Sequence, residues 1–248
     1  MTLDPKIAAV LAGESDGCVV CGDCLEVMAD MPDGCVDAVV TDPPYDEKTH
    51  EGARYGFRET SSKIPFAPLA DVARPLEAML RLSRGWVVAF CSLEMYGDYK
   101  RAAGNRWVRA GFWRRPNAVP QFTGDRPGQP GEGIAICHAG GLKRWNGHGR
   151  HAFWTANIEQ QNRLHPTEKP LSLMLELVTD FTSENHVILD PFCGSGTTCV
   201  AAKKLGRPYI GIEIDPKYAR IAEARLANTP KPLFVPQPAP VEQAELFQ

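Results

Sequence analysis

Residues 41–45 read TDPPY directly behind the apolar run 36–40, which puts a carboxylate, two prolines and an aromatic ring at the carboxyl end of an expected strand. Open parallel sheets hold their ligand sites at that edge. An exocyclic amino group on a flat base is a poor nucleophile because its lone pair is delocalised into the ring. The side chain of Asp42 and the backbone carbonyl of Pro43 can each accept one of the amine's hydrogens, which favours a pyramidal nitrogen with an exposed lone pair. Pro43 and Pro44 restrict φ and hold that carbonyl in place, while Tyr45 offers a ring for a base to stack on. Taken alone, the tetrapeptide also fits an ordinary strand exit with prolines.

A second apolar run ends in a glycine turn, residues 187–198 reading VILDPFCGSGTT. Gly194 and Gly196 lead into a helix expected to start near Thr197, a geometry that lets backbone approach a ligand closely. The turn is not a phosphate loop, because Thr197, Thr198 and Cys199 follow Gly196 where a lysine is needed. Nor is it the dinucleotide fingerprint, since Cys199 stands where the third small residue belongs. A nucleoside cofactor without phosphates fits better. Glu213, in GIEID, ends the next strand 23 residues beyond Asp190, where an acidic side chain can take both ribose hydroxyls. Asp215 reads as the cap of the helix that follows. Residues 165–170, HPTEKP, read as a helix start with Thr167 as N-cap and Pro170 in the first turn. Such a start, assisted by Lys169, suits a carboxylate like the amino-acid end of S-adenosylmethionine.

The chain has 248 residues, 44% of them hydrophobic, enough for one sizeable α/β domain with a small insertion. Its first residues fit neither a secretory signal nor a membrane anchor, so the cytoplasm is the expected compartment. Net charge is −3, but it is unevenly spread. Residues 1–96 hold 8 Lys/Arg against 16 Asp/Glu, and residues 152–248 hold 9 against 11. Residues 97–151 hold 10 against 3, interleaved with Trp107, Phe112, Trp113 and Trp145 and with His138, His148 and His151. That mixture suits a surface that tracks phosphates and contacts bases, and a solvated charged face is the plainer alternative. The eight cysteines read as reduced thiols. Cys18, Cys21 and Cys24 recur every third residue, but no second Cys or His pair sits at a finger-like spacing and Cys21-Gly22-Asp23 fits a strand exit, so no metal is expected. A metal protein built on those thiols is the rival reading.

Buried strands are expected at 18–21, 36–41, 86–91, 187–190 and 209–213, and helices at 24–29, 69–82, 93–103, 170–181, 197–205 and 217–226. Residues 112–122 and 133–138 read as a later strand pair. Residues 46–63, with Tyr55 and Phe57, read as a loop beside the site, and 140–157 shows no period and reads as a recognition insertion. The alternation of strands and helices means an α/β fold. Prolines at 230, 232, 236, 238 and 240 make the end of the chain an extended tail.

With these residues in hand, the chain resembles the β-class amino-group DNA methyltransferases, in which the catalytic motif precedes the cofactor motif. Asp42, Pro43, Pro44 and Tyr45 match the family's DPPY motif. DPFCGSGTT matches its cofactor loop, HPTEKP the segment before that loop, and GDC ending at Cys24 the strand end that meets the cofactor's adenine. The resemblance implies a Rossmann-like, doubly wound, mostly parallel sheet in the circularly permuted methyltransferase order, with a small target-recognition insertion. It implies S-adenosyl-L-methionine as methyl donor, held by Asp23, Cys24, Asp42, His165, Thr167, Lys169, Asp190, Phe192, Gly194, Ser195, Gly196, Thr197, Thr198 and Glu213. It further implies a base flipped out of double-stranded DNA, often a homodimer, and a bacterial or phage setting.

The catalytic domain then spans 1–228, with the basic stretch in 97–157 as target-recognition region and 229–248 as the proline-rich tail. Arg114, Arg115, Lys143, Arg144 and Arg150 are its candidate DNA contacts. Within the family DPPY is usual for adenine N6 and SPPY for cytosine N4, so Asp42 favours adenine. The alternatives are cytosine N4, an RNA or protein substrate, and a DNA-binding module with a dead pocket. A restriction partner, if any, is expected on a separate chain. Gln243, Leu246 and Phe247, in QAELF, resemble the Q-x-x-L-F peptide that docks on the bacterial sliding clamp, and packing on the protein or a dimer mate is the other reading.

Overall fold

The computed structural model describes residues 2–45, 71–118, 122, 124–159 and 168–231. His165, Thr167, the loop 46–63 and the clamp-like peptide lie outside the described residues. The strands are β1 (Gly17–Cys21), β2 (Ala38–Thr41), β3 (Trp86–Cys91), β4 (Trp107–Arg114), β5 (Gly131–His138), β6 (Phe153–Thr155), β7 (Ile188–Asp190) and β8 (Tyr209–Glu213). The helices are α1 (Pro5–Leu11), α2 (Cys24–Ala29), α3 (Ala73–Leu82), α4 (Tyr96–Ala103), α5 (Leu171–Phe181), α6 (Thr197–Lys204) and α7 (Pro216–Ala227).

All eight strands join one sheet in the order β1-β8-β7-β2-β3-β5-β4-β6. The pairs from β1 through β8, β7 and β2 to β3 are parallel, whereas β5 runs antiparallel to both β3 and β4. Strands β2 and β3 are buried at every position, which is why their sequences are unbroken apolar runs rather than alternating ones. Helices cover both faces. Leu173, Leu177, Val200 and Ala222 of α5–α7 pack on one side with Val40, Val88 and Ile136. Ile7, Met28, Leu76 and Tyr99 of α1–α4 pack on the other with Val39, Val87 and Ile210. Each Val, Leu, Ile or Met side chain among them contributes roughly 1.5–3 kcal/mol by leaving water. The result is the expected doubly wound, mostly parallel α/β fold.

Local chemistry sets the helix starts. Asp4, Asp23 and Asp215 accept N–H bonds in the first turns of α1, α2 and α7, and proline follows Asp4 and Asp215. Two expectations, the start of α5 and the bounds of β4, need correcting. Helix α5 starts at Leu171 with Pro170 at its N-cap and no side-chain cap, because a proline disfavours helical geometry at the residue before it. Strand β4 occupies 107–114 rather than 112–122, since Pro116 stops it and a register shift between Trp107 and Arg109 hides its beginning. Residues 140–157 contain β6 and are tied into the core, where Trp145 and Trp154 pack on Phe181. The basic stretch is thus continuous with the main sheet. Among the described residues no helix is long and apolar enough to cross a membrane.

Candidate active site

Strand β2 pairs in parallel with β7, Ala38 opposite Ile188 and Val39 opposite Leu189, so the two motifs leave the sheet side by side. The hydroxyl of Thr41 donates to Asp190 Oδ1 at 2.6 Å. The backbone N–H of Phe192 donates to the same oxygen at 3.2 Å. Burial pushes the Asp190 carboxyl up to about 6, against the opposing pull of the Thr41 and Thr198 hydroxyls.

After β7 the chain turns through Gly194 (φ 52°) and Gly196 (φ 83°), the left-handed region that glycine enters without a steric cost. Glu213 clamps this turn. Its Oε2 accepts the Gly194 N–H at 2.8 Å and its Oε1 accepts the Asp215 N–H at 2.9 Å. Each carboxylate oxygen keeps a lone pair for a further hydroxyl. Burial raises the Glu213 pKa, partly offset by these N–H donors. Arg225 donates to the Thr197 hydroxyl at 3.0 Å and pairs with Glu168 at 2.6 Å, so the loop's Ser195 and Thr197 are tied to an ion pair that the motifs do not announce. Strand β1 lies beside β8, with Cys21 opposite Glu213, which brings Asp23 and Cys24 to the same edge. There Asp23 Oδ1 accepts from Leu25 and Glu26. Phe192 is half-buried and Ser195, Thr197 and Thr198 are buried.

Beside this turn, Asp42 sits in a half-buried charge network centred on the buried Lys169. Lys169 Nζ lies 2.6 Å from Asp42 Oδ2 and 3.1 Å from Glu132 Oε2. The Tyr45 hydroxyl lies 2.6 Å from Glu132 Oε2 and 3.2 Å from Asp42 Oδ1. Arg115 closes the set at 2.9 Å from Glu132 Oε1. The Lys169 ammonium also faces the rings of Phe90 (4.9 Å), Tyr45 (5.6 Å) and Trp113 (5.9 Å), an environment that favours a cation. Burial and the neighbouring Glu132 raise the Asp42 pKa while Lys169 draws it down. Burial likewise pushes Glu132 up, but Lys169 and Arg115 outweigh it and hold Glu132 below the usual range. Burial works against the charge on Lys169, yet the two carboxylates keep it firmly protonated.

Lys169, which the sequence suggests for a cofactor carboxylate, has its ammonium on the Asp42 carboxylate. Glu132 escapes sequence reasoning, although a trace exists: it is an acid between two glycines at the start of a buried strand. A Cβ at Gly131 would lie 1.9 Å from the Trp113 carbonyl oxygen, and one at Gly133 would lie 2.8 Å from the Tyr96 ring, so close packing fixes Glu132's place.

A sequence profile of the DNA methylase family (N6_N4_Mtase) matches residues 138–224. "Putative methylase YubD" of Escherichia coli (strain K12) is 30% identical over 219 residues, covering 83% of this chain and 88% of that protein. The chain belongs to the amino-group DNA methylase family. The type II methyltransferase M.HinfI of Haemophilus influenzae is 27% identical to this methylase over 256 residues, covering 83% of this chain and 67% of that one. Among solved structures, the M1.HpyAVI–SAM complex superposes with a TM-score of 0.64 at 25% identity, covering 85% of the methylase and 100% of that chain. The cytosine-N4-specific PvuII DNA methyltransferase shares the fold, with a TM-score of 0.67 at 16% identity, 85% of this chain and 86% of that one.

The candidate DNA contacts of the methylase divide by environment. Arg114, Lys143 and Arg144 are exposed. Arg115 is engaged by Glu132, and Arg150 is held by Asp180 and Glu176. The thiols of β1 do not converge, because Cys18 and Cys21, three apart on a strand, face opposite sides of the sheet. Among the described residues no cluster of three or more His, Cys, Asp or Glu could hold a metal ion.

Proposed function

We propose that this DNA amino-methyltransferase, whose methyl donor is S-adenosylmethionine, acts on the N6 amino group of adenine in a base turned out of double-stranded DNA. The adjacency of β2 and β7 carries the reading, because it puts the Asp42 carboxylate beside the glycine turn held by Glu213. The residues at that turn fit the cofactor. Gly194 and Gly196 give backbone access, and Glu213 and Asp23 supply carboxylates at the ends of adjacent strands for hydroxyl and amino donors. When bound, S-adenosylmethionine supplies an electrophilic sulfonium methyl group. The protein's own task is to prepare the acceptor. Asp42 and the Pro43 carbonyl hold the two N–H bonds of the target amine so that its lone pair points away from the base, and the tethered Tyr45 ring packs against the extruded base.

The carboxylate at the first position of DPPY supports adenine N6 over cytosine N4. Nucleoside mass spectrometry and modification-sensitive sequencing of DNA from cells expressing wild type or Asp42→Ala test this. N6-methyladenine dependent on Asp42 is expected, and N4-methylcytosine in its place overturns the assignment.

Exposed Arg114, Lys143 and Arg144 are the proposed phosphate contacts, in a short recognition region that a homodimer would extend. The expected site of action is the bacterial cytoplasm, with or without a companion restriction nuclease. The Gln243, Leu246 and Phe247 peptide is the proposed dock for the sliding clamp. Pull-down with purified clamp should fail for Leu246→Ala/Phe247→Ala, and equal retention rejects the dock.

A further inference from the structure

We propose that Glu132 is a positioning residue for methyl transfer, setting Asp42 through the shared ammonium of Lys169 and the shared hydroxyl of Tyr45. The inference rests on Asp42 being the acceptor for the target amine. Among the described residues, Lys169 and Tyr45 each lie within hydrogen-bond reach of both Asp42 and Glu132, Lys169 donating to Glu132 at 3.1 Å, while the single Tyr45 proton favours Glu132 at 2.6 Å over Asp42 at 3.2 Å. Glu132 is in turn fixed from its other oxygen by Arg115. Among the described residues two carboxylates thus balance two cations around the reacting edge, and the balance decides how strongly Lys169 draws on Asp42.

Other groups also act on Asp42. Asp190 of β7 and Glu132 of β5 bear on it as acids, Lys169 from the segment before α5 as a base, and Tyr45, Tyr99 of α4 and Cys91 of β3 as neutral groups. Within this set, Glu132 and Lys169 push in opposite directions. Glu132→Gln keeps an oxygen for Tyr45 but leaves Lys169 to Asp42 alone, so Asp42 becomes easier to ionise and a weaker acceptor for the amine. Lys169→Met leaves two carboxylates facing each other without the cation between them, so Asp42 becomes harder to ionise.

The experiment is single-turnover methyl transfer to DNA across pH for wild type, Glu132→Gln, Lys169→Met and the double variant Glu132→Gln/Lys169→Gln, with S-adenosylmethionine affinity measured separately by calorimetry. The acid limb of the Glu132→Gln profile should move down by about one pH unit and that of Lys169→Met up by about one. The double variant should fall between them. Glu132→Gln should also lose about tenfold in plateau rate with cofactor affinity within about twofold of wild type. Superimposable Glu132→Gln and wild-type profiles, or acid limbs that move the same way in both single variants, overturn the proposal. If Lys169→Met does not fold, Glu132→Gln and the double variant still decide. A wild-type protein that transfers no methyl to DNA defeats the functional reading instead, which keeps the two failures apart.

Discussion

Thr41 donates its hydroxyl to Asp190 Oδ1 at 2.6 Å across 149 residues of sequence, joining the last residue of β2 to the last residue of β7. The bond makes the separation of the two half-sites a property of the sheet rather than of mobile loops. Burial of the same Asp190 carboxyl makes the stability of that edge depend on pH.

The native Asp190 carboxyl binds its proton up to about 6, whereas an unfolded chain releases it near 3.8. Between those values the folded state holds the extra proton, so stability declines as pH rises through the window and levels off above it. The group accounts for a loss of about 3 kcal/mol across that range. Urea unfolding at a series of pH values should show this slope in wild type and lose it in Asp190→Asn; parallel curves reject the assignment.

Asp42→Ala removes the proposed acceptor for the target amine while leaving the glycine turn and Glu213 in place. Methyl transfer should fall by at least about a hundredfold. Cofactor affinity, read by calorimetry, should stay within about threefold, since no contact at the turn is lost. Undiminished turnover contradicts the role of Asp42.

A side chain at Gly196 has a different consequence from the one the motif suggests. Its Cβ would meet Ala222 Cβ of α7 at 3.0 Å, and the φ of 83° is itself unfavourable for a β-branched residue. Gly196→Val should therefore disturb the packing of the turn on α7 as well as cofactor access. The strain is about 1–3 kcal/mol, a fall of about 5 °C in melting temperature, accompanied by weak cofactor binding. An unchanged melting temperature restricts the defect to the ligand path.

Arg150 reads from sequence as a DNA contact, yet its guanidinium meets Glu176 at 2.7 Å and also Asp180, a buried carboxylate that accepts from Trp154 Nε1 at 2.9 Å. Arg150→Ala should cost about 1 kcal/mol, because Asp180 keeps the Trp154 donor but loses a half-exposed cation. Arg144→Ala should instead spare stability and reduce DNA affinity and its salt dependence. Equal effects of the two substitutions on DNA binding, measured by fluorescence anisotropy over a salt series, reject this division.

The sequence by itself determined what local chemistry can express. Unbroken apolar runs announced β2 and β3, a capping aspartate, Asp215, announced α7, and the glycines after β7 announced its tight turn, because each depends on residues close together in the chain. Tertiary structure decided the rest. It paired β2 with β7, joined Lys169 to Asp42, drew Glu132 into the same charge network, and packed Trp145 and Trp154 on Phe181. None of these has a local signature, since strand order and the partner of a buried charge are set by which distant surfaces exclude water together.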